Sequence, residues 1–450
     1  MTQQGVRWTA DQVLALAPDT ASRKAGSKLG AAGPWSQAGS SDEGTVWGLC
    51  KGSGSKPYQT VVDMSDAAGT AYKCSCPSRK FPCKHALGLL LLWAGGDAAV
   101  PVAQPPDWAE QWLAGRRKRV EAKAADQASG SAGSADPAAA RRRAERRAER
   151  VTAGASELEQ RLADLLRGGL ATAEQAGYGM WEETAARMVD AQAPGLAARV
   201  RELGAIPASG PGWPVRLLEE CALLHLLDQG WLRRERLPDG LAATVRSRIG
   251  LPASADGPPV RDRWLVLAQY DTVDPKLTTR RIWLHGAESG RTALLLSFGA
   301  AGRAPELALP VGLAVEAAVS AYPGAGQPRA VLGERFAAPA PAAVRPPGVG
   351  TEQAAAAYGE ALRADPWLDA VPVTLEAVVP VQDGDSWQLA DADGDAALPL
   401  SATARSRPGL WRLVALSGGA PVRVFGEHGH RGFAPLTSWP EGPGEAVPLC

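Results

Sequence analysis

The sequence has no run of eighteen apolar residues, so it lacks a segment that could span a bilayer as a helix. Its chain start also lacks the apolar stretch of a secretory signal, which predicts a cytoplasmic location and no membrane partner. Lysine plus arginine and aspartate plus glutamate each number 48, so the net charge is zero. The chain as a whole therefore has no electrostatic attraction toward nucleic acid.

The common catalytic motifs are absent as well. The chain has no Gly-x-Ser-x-Gly elbow, no His-Glu-x-x-His helix and no dinucleotide-binding fingerprint. The glycine-rich stretch at 52–56 lacks the Gly-Lys-Ser/Thr ending of a phosphate loop and fits a hairpin turn. We therefore predict that the protein is not an enzyme, and no small-molecule substrate is evident. An enzyme with its site in the β-rich C-terminal region has no motif to support it.

Cysteine and histidine are scarce, with six and five among 450 residues, yet four of them lie close together. Cys74 and Cys76 are two positions apart, so in an extended segment both side chains point the same way. Cys83 and His85 follow at the start of an apolar stretch that reads as a helix behind Pro82. Three cysteines and one histidine fill the tetrahedral shell of zinc, which predicts one structural Zn²⁺ ion.

Other interpretations of these cysteines remain open from the residues alone. Disulfides are disfavoured in a reducing cytosol, and Cys-x-Cys spacing is poor for pairing with itself. Free structural thiols are a further alternative. Cys50 ends a predicted strand near the site, so it could replace His85 as the fourth ligand, or it could be a small buried hydrophobic residue.

The pattern Cys-x-Cys, spacer, Cys-x-His resembles the SWIM zinc finger, and the wider sequence resembles actinobacterial SWIM-containing proteins. That family places the motif after a short antiparallel sheet and closes it with a helix. The segments before Cys74 fit, since Thr45–Cys50, 58–64 and Ala71–Cys74 read as strands separated by turns. The resemblance implies a role in DNA binding or protein–protein contact.

Basic residues surround the predicted zinc ligands, namely Lys73, Arg79, Lys80 and Lys84, with Phe81 among them. A basic edge with an aromatic residue is typical of nucleic-acid-binding fingers, so we predict nucleic-acid or partner contact here. The alternative is that these cations only offset the charge of the zinc–thiolate cluster, which is formally −1. In that case the protein is a protein–protein adaptor in which zinc only stabilises the N-terminal fold.

The sequence predicts an α+β, multidomain protein with four regions. A zinc-stabilised β-hairpin/helix finger spans 1–100, and a flexible basic linker spans 101–154, which includes a tract of small residues at 127–137. A helical bundle at 155–250 and a β-rich C-terminal region at 260–450 follow, because helical apolar stripes give way to short apolar runs.

Three further groups of residues have ordinary structural interpretations that we favour. The arginine-rich run at 141–147 reads as a solvated charged helix. Cys221 and His225 lie one helical turn apart, but in a core-like apolar segment. His428 and His430 beside Glu427 are expected on a loop, without a third fixed metal ligand.

Overall fold

The structure is a computed structural model, and in the residues it describes no helix is both long and apolar enough to cross a membrane. The described residues are 7–14, 16–17, 20–42, 44–52, 54, 56–64, 70–78, 80, 82–96, 98–130, 137–274, 277–300, 305–324, 326, 328–337, 339–342, 344–440 and 445–450. Helices and three antiparallel or mixed sheets alternate along the chain, which confirms the predicted α+β class.

The N-terminal unit is a four-stranded antiparallel sheet, ordered β1-β2-β3-β4, with three short helices. Its first helix begins with a capping box, because the Thr9 and Gln12 side chains each accept the other's backbone N–H, at 3.3 and 2.8 Å. The elements are α1 (Ala10–Leu14), α2 (Thr20–Ser27), β1 (Trp35–Ser40), β2 (Thr45–Cys50), β3 (Tyr58–Asp63), β4 (Ala71–Cys74) and α3 (Lys84–Ala94).

Helix α3 is apolar on nearly every side and is almost entirely buried. Every face of such a helix must pack against other elements to be buried. Strands β2 and β3 cover one face through Val46 and Val62. The same hydrophobic core continues into the C-terminal half, where it includes Trp264 and Ile282. The N-terminal unit and the first C-terminal sheet are therefore packed together and share one core.

The predicted flexible linker at 101–154 differs from the structure, because most of its described residues are helical. Helix α4 (Asp107–Gly130) lies on β2 and β3, where Ala109 and Leu113 bury against Trp47 and Val61. Arg116 also donates to Asp63 at 3.1 Å. The charged segment 138–150 is the first part of the next long helix. Residues 131–136 of the small-residue tract lie outside the described residues.

The helical region consists of α5 (Pro137–Gly168), α6 (Ala171–Asp190), α7 (Pro194–Ala205), α8 (Trp213–Leu232) and α9 (Asp239–Ile249). One hydrophobic core joins them, and on α8 it is formed by side chains spaced three and four apart. Gly195 allows α7 to approach the end of α9, since a Cβ there would lie 1.9 Å from the Arg248 carbonyl oxygen. Helix α5 crosses the boundary that the sequence predicted between 154 and 155.

The first C-terminal sheet has the order β10-β8-β5-β6-β7-β9, and a further β8–β9 pairing closes five of its strands into a ring. Side chains alternate along β5, so Trp264 faces the core shared with the N-terminal unit while Leu265 and Leu267 face a second core. The strands are β5 (Val260–Val273), β6 (Leu277–Gly286), β7 (Thr292–Ala300), β8 (Leu313–Ala321), β9 (Arg329–Arg335) and β10 (Ala340–Pro341).

The last part of the chain forms an antiparallel sheet ordered β13-β12-β11-β14-β15-β16, with short helices beside it. Phe425 and Trp439 of this sheet pack on the second face of the preceding one. The elements are α10 (Thr351–Ala364), β11 (Ala370–Asp383), β12 (Ser386–Asp391), β13 (Ala397–Pro399), α11 (Ala402–Arg405), α12 (Gly409–Ser417), β14 (Val422–Gly429), β15 (Gly432–Trp439) and β16 (Val447–Pro448).

Candidate metal centre

The four predicted zinc ligands come together where strand β4 meets helix α3. Cys74 ends β4, Cys76 lies in the turn that follows, Cys83 is the N-terminal cap of α3, and His85 lies in its first turn. One ligand atom from each residue lies within 4.8 Å of every other. The hairpin sheet thus delivers two ligands and the start of the helix delivers two, as the sequence spacing predicted.

The distance between one pair of donor atoms matches the spacing around a tetrahedral zinc ion. With bonds of about 2.0–2.3 Å, neighbouring ligand atoms around zinc are roughly 3.5–3.8 Å apart. The Cys74 Sγ and His85 Nδ1 atoms are 3.6 Å apart. Cys83 and His85 are buried, and Cys74 and Cys76 are half-buried. The four residues fit one structural zinc ion, which would tie the end of the sheet to the helix.

The thiols of the cluster also interact with one another. A hydrogen bond from Cys83, with smaller contributions from His85 and Thr60, holds the pKa of Cys74 well below its ordinary value. The same bond raises the pKa of Cys83, because it keeps its proton when it donates to the Cys74 thiolate. Several thiolates a few ångströms apart repel one another, so a cation is required before all three cysteines can be ionised.

Two neighbours hold the ligands in place. The Thr60 hydroxyl lies 3.3 Å from Cys74 Sγ, and Thr60 is fully buried. The Tyr58 ring lies against the His85 ring with their centroids 4.8 Å apart. Gly52 leaves room for Tyr58, since a Cβ at Gly52 would meet its ring at 2.6 Å. Contacts of this kind orient metal ligands and limit their exposure to solvent.

Two of the alternatives for the cysteines do not match this geometry. None of the six cysteines forms a disulfide. Cys50 is buried at the end of β2, where its thiol donates to the carbonyl of Lys51 at 3.8 Å, and it lies outside the four-residue ligand group. Cys50 is thus a buried core residue, and His85 is the fourth member of the candidate ligand group.

The comparisons with known proteins agree with this site. Residues 58–94, from β3 to the end of α3, match the family model of the SWIM zinc finger. Residues 146–249 match the model of the SWIM-associated four-helix bundle domain. Two separate segments of the chain thus match SWIM-type domains. No curated protein and no solved structure matches the chain. Its similarity to known proteins therefore rests on these two family models.

The two matched segments, the finger and the bundle, lie on either side of helix α4 and the start of α5. The bundle match begins at residue 146, inside the arginine-rich segment and ahead of the start predicted at 155. The segment predicted as a solvated helix is therefore partly bundle, and Arg147 reaches the backbone carbonyl of Gln192 at the end of α6, at 3.5 Å.

Three of the four predicted basic contacts lie exposed around the ligands of the SWIM finger. Lys73 precedes Cys74, Lys84 follows Cys83, and Lys80 lies in the spacer between them. Arg79 lies outside the described residues. Sequence reasoning missed Lys51 and Lys56, which are exposed in the β2–β3 connection beside Tyr58. The sequence could have indicated that these two lysines belong to the basic surface, since no acidic residue occurs in 44–62 or in 70–96.

The other candidate ligand pairs serve different purposes. His225 does not face Cys221; its Nδ1 atom instead lies 2.7 Å from a carboxylate oxygen of Glu159 on α5. His428 is on strand β14, not on a loop as predicted, and it is buried beside Phe433. Its neighbour Glu427 points elsewhere and accepts hydrogen bonds from Tyr270 and Trp283. Neither pair belongs to a metal-ligand group among the described residues.

Proposed function

We propose that this protein is a non-enzymatic, cytoplasmic binding protein whose SWIM finger contacts the phosphates of DNA or RNA. The zinc ion has a structural role in this proposal, because three cysteines and one histidine leave no open coordination position. The observation that carries the proposal is the excess of exposed positive charge around the zinc ligands. The SWIM match supports the same role.

Charge compensation alone accounts for only part of the basic edge. A zinc ion with three thiolates and one neutral histidine has a formal charge of −1. Six basic residues lie near it in the sequence, with no acidic residue between 44 and 62 or between 70 and 96. They are Lys51, Lys56, Lys73, Arg79, Lys80 and Lys84. A local excess of this size attracts a polyanion even in a chain whose total charge is zero.

Removing three of these lysines should weaken nucleic-acid binding and reduce its dependence on salt. In the variant Lys73→Ala/Lys80→Ala/Lys84→Ala, three phosphate contacts are lost, which should lower the slope of log K against log salt by about 2–3. Affinity should fall for all sequences alike, because phosphate contacts carry no base information. Fluorescence anisotropy with labelled DNA and RNA between about 50 and 200 mM salt measures this slope.

Two controls make the result specific. None of the three lysines is a zinc ligand, so the triple variant should keep its zinc. Arg246→Ala removes an exposed cation from helix α9 of the bundle and should leave the slope unchanged. Binding by the full chain that is absent, or that does not respond to salt, would contradict the proposal.

The adaptor function is the second candidate, and one feature of the bundle favours it. Helix α8 exposes an apolar row at spacings of three and four residues, with Val215 61% and Leu218 48% exposed, continuing through Ala222 to Leu226. Exposed rows of this kind occur where a helix contacts another protein. If this candidate is correct, Leu218→Gln/Leu226→Gln should abolish a partner interaction that survives nuclease treatment, without affecting zinc.

A further inference from the structure

A cavity of about 630 Å³ lies between the helical bundle and the first C-terminal sheet. Its walls come from α5, from α9 and the chain that follows it, and from the β8–β9 connection. We call it the arginine pocket, and its polar lining is formed by Arg147, Arg248, Arg329, Asp365, Thr244, Ser247 and Tyr322. This volume falls in the range of small-molecule sites.

Among the described residues, only one of the three arginines in the pocket has a carboxylate partner. Arg248 is held by Asp365, with Nε–Oδ1 and Nη2–Oδ2 distances of 3.0 and 2.6 Å. Asp365 is the only acidic residue in the described lining. Arg147 and Arg329 therefore leave the arginine pocket with an excess of two positive charges.

The two unbalanced guanidinium groups are already positioned by other contacts. Arg147 donates from Nη2 to the carbonyl of Gln192 at 3.5 Å, while its buried Nε has no hydrogen-bond partner in the described part of the chain. The Arg329 guanidinium lies over the Tyr322 ring, 5.0 Å from its centroid. Both side chains line the pocket, so an anion bound there can accept charge-assisted hydrogen bonds from their guanidinium groups.

The rest of the lining indicates the kind of anion. Guanidinium groups match phosphate geometry, since their parallel N–H groups can bond two oxygens at once. Ser247 on α9 adds a hydroxyl donor at the wall. Leu251, Pro252 and Tyr322 form an apolar side, and the cavity is larger than a free phosphate requires. Such a site suits a phosphate attached to an organic group.

We propose that the arginine pocket binds a small phosphorylated molecule, with its phosphate monoester held by Arg147 and Arg329 and its organic part against Leu251 and Tyr322. A phosphate monoester carries close to two negative charges at neutral pH, which equals the excess charge of the lining. The site is separate from the zinc finger and does not depend on the function proposed for it.

Isothermal titration calorimetry of the full, zinc-loaded chain tests this proposal with four probes: AMP, ribose 5-phosphate, adenosine and inorganic phosphate. At least one of the two organic phosphates should bind with a Kd below about 1 mM. Arg147→Gln and Arg329→Gln should each weaken that binding at least tenfold, because each removes a charge-assisted contact. Arg147→Lys and Arg329→Lys, which keep the charge, should bind more tightly than the glutamine variants and also show that the position tolerates substitution.

Arg246→Gln is the matched control, because Arg246 is exposed on α9 and does not line the pocket. It should bind as the unmodified chain does. The proposal is overturned if no phosphorylated probe binds, if adenosine binds as tightly as AMP, or if Arg246→Gln weakens binding as much as the pocket variants do. If inorganic phosphate binds as tightly as both organic phosphates, the organic group adds nothing to binding, and the proposal that the pocket contacts it is overturned.

Discussion

Replacing Cys83 with alanine should release the zinc ion and unfold the finger around β4 and α3. Cys83 links the cluster to the start of α3, so its loss leaves three ligands and frees the helix start. Structural zinc contributes on the order of 10 kcal/mol to the folding of such small units. Hydrogen exchange of the full chain should show lost protection across residues 58–94.

The effect should also extend beyond the finger, because α3 belongs to the core that includes Trp264 and Ile282. We expect reduced protection on β5 and β6, while the helical bundle, which has its own core, should be unaffected. Cys50→Ala is the matched control, since Cys50 is buried in the same unit but is not in the ligand group. It should keep zinc and cost only about 1 kcal/mol. Equal zinc loss in both variants would show that Cys50 is a ligand.

The second large effect concerns Asp228, which should destabilise the bundle at neutral pH. Its side chain is fully buried on α8, beside the carboxylate of Glu159 on α5. Burial, together with the nearby charge of Glu159, raises the pKa of Asp228 from 3.8 to about 9. The folded state therefore holds a proton that the unfolded state releases above about pH 4.

This difference fixes the direction of the pH dependence. Because the folded chain binds more protons, the free energy of unfolding falls as pH rises from about 4 to about 9, then levels off. At pH 7 the accumulated loss is roughly 4 kcal/mol, since each pH unit contributes about 1.4 kcal/mol. Asparagine has nearly the shape of the protonated acid but never ionises, so Asp228→Asn should recover most of this loss.

Hydrogen exchange of α5 and α8 measures the effect when the two proteins are compared at the same pH, which cancels the intrinsic pH dependence of exchange. Asp228→Asn should match the unmodified chain near pH 4 and become increasingly more protected up to pH 9. Glu219→Gln, an exposed position on the same helix, should show no such trend. A difference between Asp228→Asn and the unmodified chain that stays constant across this pH range would show that Asp228 is not protonated in the fold.

The metal centre could be predicted from the sequence because its ligands are close along the chain. Two residues at strand spacing and two at a helix start come together through local geometry alone. For the same reason strands β2 and β4 match their predicted bounds. Strand β1, in contrast, was missed, since Trp35–Ser40 is poor in apolar residues and gains its order by pairing with β2.

Features that depend on distant packing could not be predicted in this way. Helix α4 has little apolar periodicity, and the segment read as a flexible linker is ordered where Ala109 and Leu113 meet the sheet. The arginine pocket joins residues that are distant in sequence, from Arg147 to Asp365. Asp228 did leave a signal, because it continues the buried row of α8 that runs through Leu217, Cys221, Leu224 and Trp231. A charged residue in such a row marks a buried ionisable group.

The central claim is that Cys74, Cys76, Cys83 and His85 hold one structural zinc ion, and the zinc content of the purified full chain tests it most directly. Elemental analysis of protein prepared without chelator should find one zinc per chain. The same analysis should find one zinc in Cys50→Ala and none in Cys83→Ala. A full chain that is folded and free of zinc, with residues 58–94 still protected from exchange, would contradict the account.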